Sequence, residues 1–257
     1  MKLNRRTFMA IGAAGLTTRV SSPAVARQSS VGTTIRAIAF DAFAVFDPRP
    51  VFRACEEAFP GRGLELAELW RARQFDYQWL RALAGTYVDF WQITRSALEF
   101  AAQSLKLGLS SSQGDALMRG YLELRAWPDV PDALAELRRR GKQVVLLSNA
   151  TGQILDAGIR NSGLKGYFHQ VISTDRIRTF KPDPRAYQLG SDVLRLAKEE
   201  IVFVASAGWD AAGAKWFGYP TFWNNRQNAV TEELSANPDG SGNTLGELLN
   251  FLKSDLG

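Results

Sequence analysis

Four short stretches of this chain carry side chains that could act together on one bond. Asp41 ends the apolar run Ile35-Arg36-Ala37-Ile38-Ala39-Phe40, and Ser148-Asn149 ends Val144-Val145-Leu146-Leu147. Lys181-Pro182-Asp183 stands in a loop before a helical segment, and Ser206 with Trp209-Asp210 follows Ile201–Ala205. A carboxylate, a hydroxyl, a lysine and a second carboxylate suit displacement by an aspartate nucleophile. The first carboxylate attacks and becomes an ester. Ser148 and backbone N–H groups hold its second oxygen or a substrate carboxylate. Lys181 keeps the nucleophile ionised and offsets charge, while Asp210 either orients Lys181 or helps activate water. Each residue alone reads equally well as a cap or a turn; the set, in this order, carries the signal.

The elements that must position these groups alternate. The first strand covers Ile35–Phe40. After Pro128 and Pro131 a helix over Asp132–Arg140 stops at Gly141, and the strand Val144–Leu147 follows. A helix over 152–162 stops at Gly163. Strands are then expected at Gln170–Ser173, Ile201–Ala205 and Thr221–Trp223, with helices around 184–197 and 211–217. Strands alternating with helices imply parallel pairing with helices on both faces, and a ligand site at the carboxyl ends of the strands. From about residue 51 to 125 the pattern differs, with long helical periodicity and few breakers. Leu66, Leu69, Trp70, Tyr77 and Leu80 share one expected face, as do Trp91, Thr94, Leu98, Ala101 and Leu105. The fold class is therefore α/β: a Rossmann-like parallel core (33–47 and 126–257) with an inserted all-helical cap (48–125). No internal repeat or low-complexity run interrupts it.

Composition narrows the chemistry further. The 257 residues are 46% hydrophobic, enough for a sizeable core. Cys55 is the single cysteine, which excludes an intramolecular disulfide and any cysteine-built metal cluster. His169 is the single histidine, and its neighbours Tyr167, Phe168 and Val171 mark it as a strand-start residue rather than a general base. Residues 1–26 form a separate segment: Arg5-Arg6 precede a short apolar stretch that ends at Ala24-Val25-Ala26. Paired arginines with a small-x-small ending resemble a twin-arginine export signal, so the expected location is periplasmic. The apolar stretch falls short of the roughly 20 residues needed to stay as a membrane anchor. The segment holds four basic residues and no acid, so its removal takes the net charge from +5 to +1. The basic balance is thus no argument for nucleic-acid binding, and the remaining Lys and Arg form no stripe.

At these motifs the chain resembles the haloacid dehalogenase superfamily. Glu57–Gly63, Leu69-Trp70-Arg71, Gln74–Leu83, Phe203–Ser206 and Trp209-Asp210 are similar to the type II L-2-haloacid dehalogenases. That resemblance covers the whole chain after the leader. It implies hydrolysis of short 2-haloalkanoates with inversion at carbon 2, without a metal or other cofactor. It implies Asp41 as nucleophile and Arg71 as the residue that binds the leaving halide or the substrate carboxylate. Ser148, Asn149, Lys181, Tyr187 and Asp210 match further family positions, and a homodimer follows by analogy. Among the aromatic residues of the cap and core, Phe43, Trp91 and Trp209 are expected to line a dry pocket, with Ser206 beside them.

Phosphatases of the superfamily place a second aspartate two residues after the nucleophile to protonate a leaving alkoxide. Here that position is Phe43. A halide leaves without a proton, so a carbon–halogen bond suits this site better than a phosphate ester. The region around Asp210 shows that one acid only, against a magnesium site. Two stretches depart from the family. The loop usually written D-x-Y-G-T-L-x-D is Asp41-Ala42-Phe43-Ala44-Val45-Phe46-Asp47, one residue shorter and without the Gly and Thr. The usual S-N-A-W-D is Ser206-Ala207-Gly208-Trp209-Asp210, with Ala207 in place of the water-positioning Asn. These departures keep open a second expectation, a relative that binds a small carboxylate without turnover, and a third, a hydrolase acting on a different substrate.

Overall fold

In the computed structural model, residues 34–254 are described; the expected leader, residues 1–26, lies outside them. The chain opens on β1 (Ala37–Phe40), whose four residues are all buried. A run buried on both faces belongs in the middle of a parallel sheet. β1 leads into a single-turn helix, α1 (Ala42–Val45), and then β2 (Phe46–Asp47). Four helices follow: α2 (Arg49–Ala58), α3 (Gly63–Ala84), α4 (Phe90–Ser104) and α5 (Ser111–Arg119). β3 (Arg125–Ala126) returns to pair antiparallel with β2, so this short ribbon closes the helical excursion at its neck. The rest alternates as expected: α6 (Val130–Arg139), β4 (Gln143–Ser148), α7 (Gly152–Asn161), β5 (Gln170–Ser173), α8 (Pro184–Leu194), β6 (Ile201–Ala205), α9 (Gly208–Phe217), β7 (Thr221–Asn224), β8 (Gly240–Gly242) and α10 (Leu245–Ser254).

The sheet order is β5-β4-β1-β6-β7-β8, with every neighbouring pair parallel. Phe40 pairs with Leu146 on one side and Val204 on the other, so β1, β4 and β6 end nearly level. Asp41, Ser148 and Ser206 therefore emerge at one edge, which is where such sheets bind ligands. Alternation along the strands divides the core. Ile38, Phe40, Val144 and Leu146 pack with α6, α7 and α10, whereas Ala37, Ala39, Val145 and Phe203 pack with α8 and α9. His169 pins β5 to β4: its Nδ1 accepts from the Val144 N–H and its own N–H donates to the Val144 carbonyl. It has no place in the strand-end cluster.

Within the excursion the helix ends are set locally. Gly85, at φ +66°, ends α3 in the left-handed conformation that glycine adopts without strain. Asp89 and Ser110 then cap the first turns of α4 and α5 with their side chains. The buried face of α3 differs from expectation. Leu66 and Trp70 are buried, but Leu80 is 60% exposed, and the face continues through Gln74 and Gln78 instead. Both glutamines have partners: Gln74 Nε2 donates to Thr94 Oγ1 (2.7 Å) and Tyr121 Oη (3.2 Å), and Gln78 Nε2 donates to the Gln74 carbonyl (3.0 Å). Reading apolar residues alone rotates the face, because amides that satisfy one another can be buried as well. β8 also escapes sequence reading, since Gly240-Ser241-Gly242 has no strand character and pairs only because β7 lies beside it.

Candidate active site

Asp41 sits at the junction of β1 and α1. Its backbone N–H continues the sheet ladder by donating to the Val204 carbonyl, and its side chain caps α1. The carboxylate is buried and oriented from three sides. Oδ1 accepts from Lys181 Nζ at 2.9 Å; Oδ2 accepts from Ser206 Oγ at 2.7 Å and from the Phe43 N–H at 3.0 Å. Oδ1 thus takes one hydrogen bond among the described residues and retains a lone pair. Lys181, 1% exposed, also donates to Asp210 Oδ2 at 2.5 Å. Tyr187 stands behind Asp210 and donates to its Oδ1 at 2.7 Å. A Cβ on Gly213 would come within 2.4 Å of the Tyr187 hydroxyl, so α9 needs glycine there to approach α8 this closely.

The charges respond to this geometry. Burial by itself would lower the pKa of the Lys181 ammonium, but attraction from Asp210 and Asp41 outweighs it and leaves the pKa raised. Burial pushes Asp210 up to about 6 in spite of Lys181 beside it, with the Asp41 charge adding to the rise. Tyr187 is pushed well above the usual phenol range, first by burial and then by Asp210. It is a neutral donor that fixes Asp210.

Ser148 ends β4 and accepts from the Ala150 N–H at 3.1 Å, which leaves its own proton free to donate. Asn149 ties three elements together. Its Oδ1 accepts from the Lys181 N–H at 2.8 Å, and its Nδ2 donates to Gln78 Oε1 on α3 at 2.8 Å. The helical excursion is thereby hydrogen-bonded to the strand ends. Above this floor lies a cavity of about 470 Å³. Asp41, Phe43, Ser148, Asn149, Lys181, Ser206, Trp209 and Asp210 line it from the core, and Arg71 and Phe75 line it from α3. Trp209 meets Phe75 and Trp79 edge-to-face, at ring centroid distances of 5.3 and 5.5 Å. Arg71 makes no hydrogen bond or ion pair among the described residues. Its guanidinium lies 5.8 Å from the Phe52 ring and 5.7 Å from the Phe75 ring, and burial lowers its pKa. An unpaired guanidinium in an apolar wall is a site for an anion.

One expected lining residue, Trp91, and one residue expected to bind substrate from its family position, Tyr187, stand elsewhere. Trp91 does not border the cavity, because α3 forms that wall and α4 reaches it only at Phe90. Tyr187 is fully buried and acts on Asp210 rather than on the cavity. Gln78, Phe52, Trp127 and Asn224 were missed. For Gln78 a signal existed, since Leu66, Trp70, Gln74 and Gln78 follow a strict four-residue step on one helix. Ala207 leaves α9 without a side-chain cap, so no amide stands at the position where the family carries Asn.

The profile of the haloacid dehalogenase-like hydrolases matches residues 20–218. The (S)-2-haloacid dehalogenase of Pseudomonas sp. (strain YL) is 41% identical over 224 residues, covering 87% of this chain and 97% of that one. A crystal structure of the L-2-haloacid dehalogenase RSc1362 is similar at a TM-score of 0.84 and 39% identity, covering 86% of this chain and 100% of that one. The L-2-haloacid dehalogenase of Xanthobacter autotrophicus with chloropropionic acid covalently bound reaches a TM-score of 0.79 at 34% identity, covering 86% of this chain and 99% of that one. Two-sided coverage at these identities, together with an aspartate, a lysine and a second aspartate joined at the strand ends, establishes that this chain belongs to the haloacid dehalogenase-like hydrolases.

Proposed function

We propose that this protein hydrolyses the carbon–halogen bond of short (S)-2-haloalkanoic acids. The observation that carries this reading is the pairing of a held carboxylate, Asp41, with a half-buried cation, Arg71, that has no ionic partner among the described residues, across one cavity. In the first step an Asp41 oxygen attacks carbon 2 from the side opposite the halogen. The new C–O bond forms as the carbon–halogen electron pair leaves with the halide, and the carbon inverts. Water then adds to the Asp41 carbonyl carbon, with the Lys181 ammonium placed to orient it and the Asp210 carboxylate placed to accept its proton and return it to the departing 2-oxygen. The 2-hydroxy acid departs with its C–O bond intact, and the carboxylate is restored. Ser148 and Arg71 hold the substrate carboxylate and the departing halide. The chloropropionic acid covalently bound in the structure of the Xanthobacter relative supports an ester intermediate here.

Halide release from L-2-chloropropionate and bromoacetate tests the reading, beside an Asp41→Asn control. Release by the wild type that disappears in the control supports it; a folded wild type that releases none refutes it. Carboxylate binding without turnover has only the missing amide at Ala207 in its favour, whereas the attacking carboxylate, Lys181 and Asp210 are assembled. We also propose export through the twin-arginine segment, supported by Arg5-Arg6 and Ala24-Val25-Ala26. A periplasmic protein whose mass begins at Arg27 is the expected result. A homodimer, supported by the exposed Leu80 and Leu83 on α3, predicts twice the chain mass in light scattering. No helix among the described residues is long and apolar enough to cross a membrane.

A further inference from the structure

The loop after Asp41 is a single helical turn, too short to hold its own conformation. Four residues form one or two internal hydrogen bonds, and the last carbonyls of any helix need outside donors. Here every carbonyl of the turn has one. The Asp41 carbonyl accepts from the Ala44 N–H and the Ala42 carbonyl from the Phe46 N–H. The next three are claimed from outside the loop. Trp127 Nε1 donates to the Phe43 carbonyl at 3.2 Å, Asn224 Nδ2 donates to the Ala44 carbonyl at 3.3 Å, and the Trp127 N–H donates to the Val45 carbonyl at 3.0 Å. Trp127 is itself held, with its ring between the guanidinium groups of Arg49 (4.4 Å) and Arg226 (4.7 Å). Arg226 is anchored to Asp129. Asn224, 1% exposed, is a polar residue at the buried end of β7, where burial without a role would be costly.

We infer that Trp127 and Asn224 are positioning residues for the nucleophile: they clamp the shortened loop in the one register that presents the Phe43 amide to Asp41. The Phe43 N–H holds Oδ2 only while α1 keeps its turn. The clamp acts on the carboxylate through that amide and leaves the anion-binding groups, Arg71 and Ser148, untouched. It therefore governs the rate of attack rather than substrate affinity. The inference rests on the dehalogenase reading for its kinetic consequence, but not for its structural one.

Trp127→Phe keeps a ring between the two arginines and removes the donor; Asn224→Leu keeps the volume and removes the amide. In each full-length variant, hydrogen exchange in residues 42–47 should quicken tenfold or more, with peptides from β4 and β6 unchanged. In the same variants kcat should fall about tenfold with KM within twofold, as expected when a reacting group is misplaced while the groups that bind the substrate stay in position. Unchanged exchange at 42–47 would overturn the inference. So would faster exchange with kcat intact, or a rise in KM alone. A wild type that releases no halide would refute the dehalogenase reading, and the exchange experiment would still decide whether the clamp holds the loop.

Discussion

The floor of the cavity holds a buried cation and the wall a half-buried one, and the two cations behave in opposite ways. Lys181, on the floor, lies between Asp41 and Asp210, and its pKa is raised. Arg71, in the wall, faces the rings of Phe52 and Phe75 without an acid partner among the described residues, and burial lowers its pKa. Burial acts on both in the same direction, so the neighbours make the difference. The floor is complete before any ligand arrives, with nucleophile, lysine and second aspartate already at working distances. The wall is incomplete, and an anion is the partner that completes it. Preorganised reacting groups beneath an unsatisfied binding group direct binding energy toward one orientation of the substrate.

The largest effect belongs to the floor. Asp41→Asn should lower halide release by on the order of 10⁴-fold or more, because no other group can form the ester. Carboxylate binding, followed by tryptophan fluorescence, should persist. Substitution of the two cations then puts the contrast to a direct test. Lys181→Met leaves two buried carboxylates facing each other and should cost about 3–5 kcal/mol in urea unfolding. Arg71→Met removes a cation without a partner, so stability should hold or rise while KM increases roughly ten- to a hundredfold. Equal destabilisation by the two substitutions would break the contrast.

Protonation offers a milder probe. With its pKa near 6, Asp210 gains a proton as pH falls below that value, and the water step should slow about tenfold per further pH unit. Single-turnover kinetics should show the ester accumulating below pH 6. The folded state keeps this proton in a range where the unfolded chain has lost it. Asp210 therefore makes stability fall as pH rises from about 4 to about 6 and contributes no further change above that. A water step insensitive to pH between 5 and 7 would remove Asp210 from the proton path. The smallest effect concerns the seam between floor and wall. Gln78→Leu removes the acceptor on α3 for Asn149 Nδ2 and should cost about 1 kcal/mol of stability. Its kcat should change only a few-fold.

Much of this arrangement was legible in the residues. Asp41, Ser148 and Ser206 were found because each directly follows an apolar run, and in a parallel sheet such positions share an edge. Lys181 and Asp210 were legible from their order along the chain and their chemistry. Trp91 misled because an aromatic residue on an amphipathic helix looks the same whether it faces a cavity or a neighbouring helix. Asn224 was invisible as a buried position, since a polar residue outside a helical step carries no burial signal until its partner is known. The shortened loop read as damage to the site, whereas the structure supplies Trp127 and Asn224, distant in sequence, as outside donors to it.

By itself the sequence determined the alternation of strands and helices, the all-helical interruption and the groups that meet at the strand ends. These follow from local periodicity and from the topology that parallel pairing enforces. Only the tertiary structure decided which cation is paired and which is free, which face of α3 lies against the core, and what holds the turn after Asp41. Those outcomes depend on hydrogen bonds between residues far apart in the chain, such as Asn224 to Ala44 and Asn149 to Gln78. No local pattern encodes such a bond, because its value depends on what the folded chain brings within about 3 Å of a group that water can no longer reach.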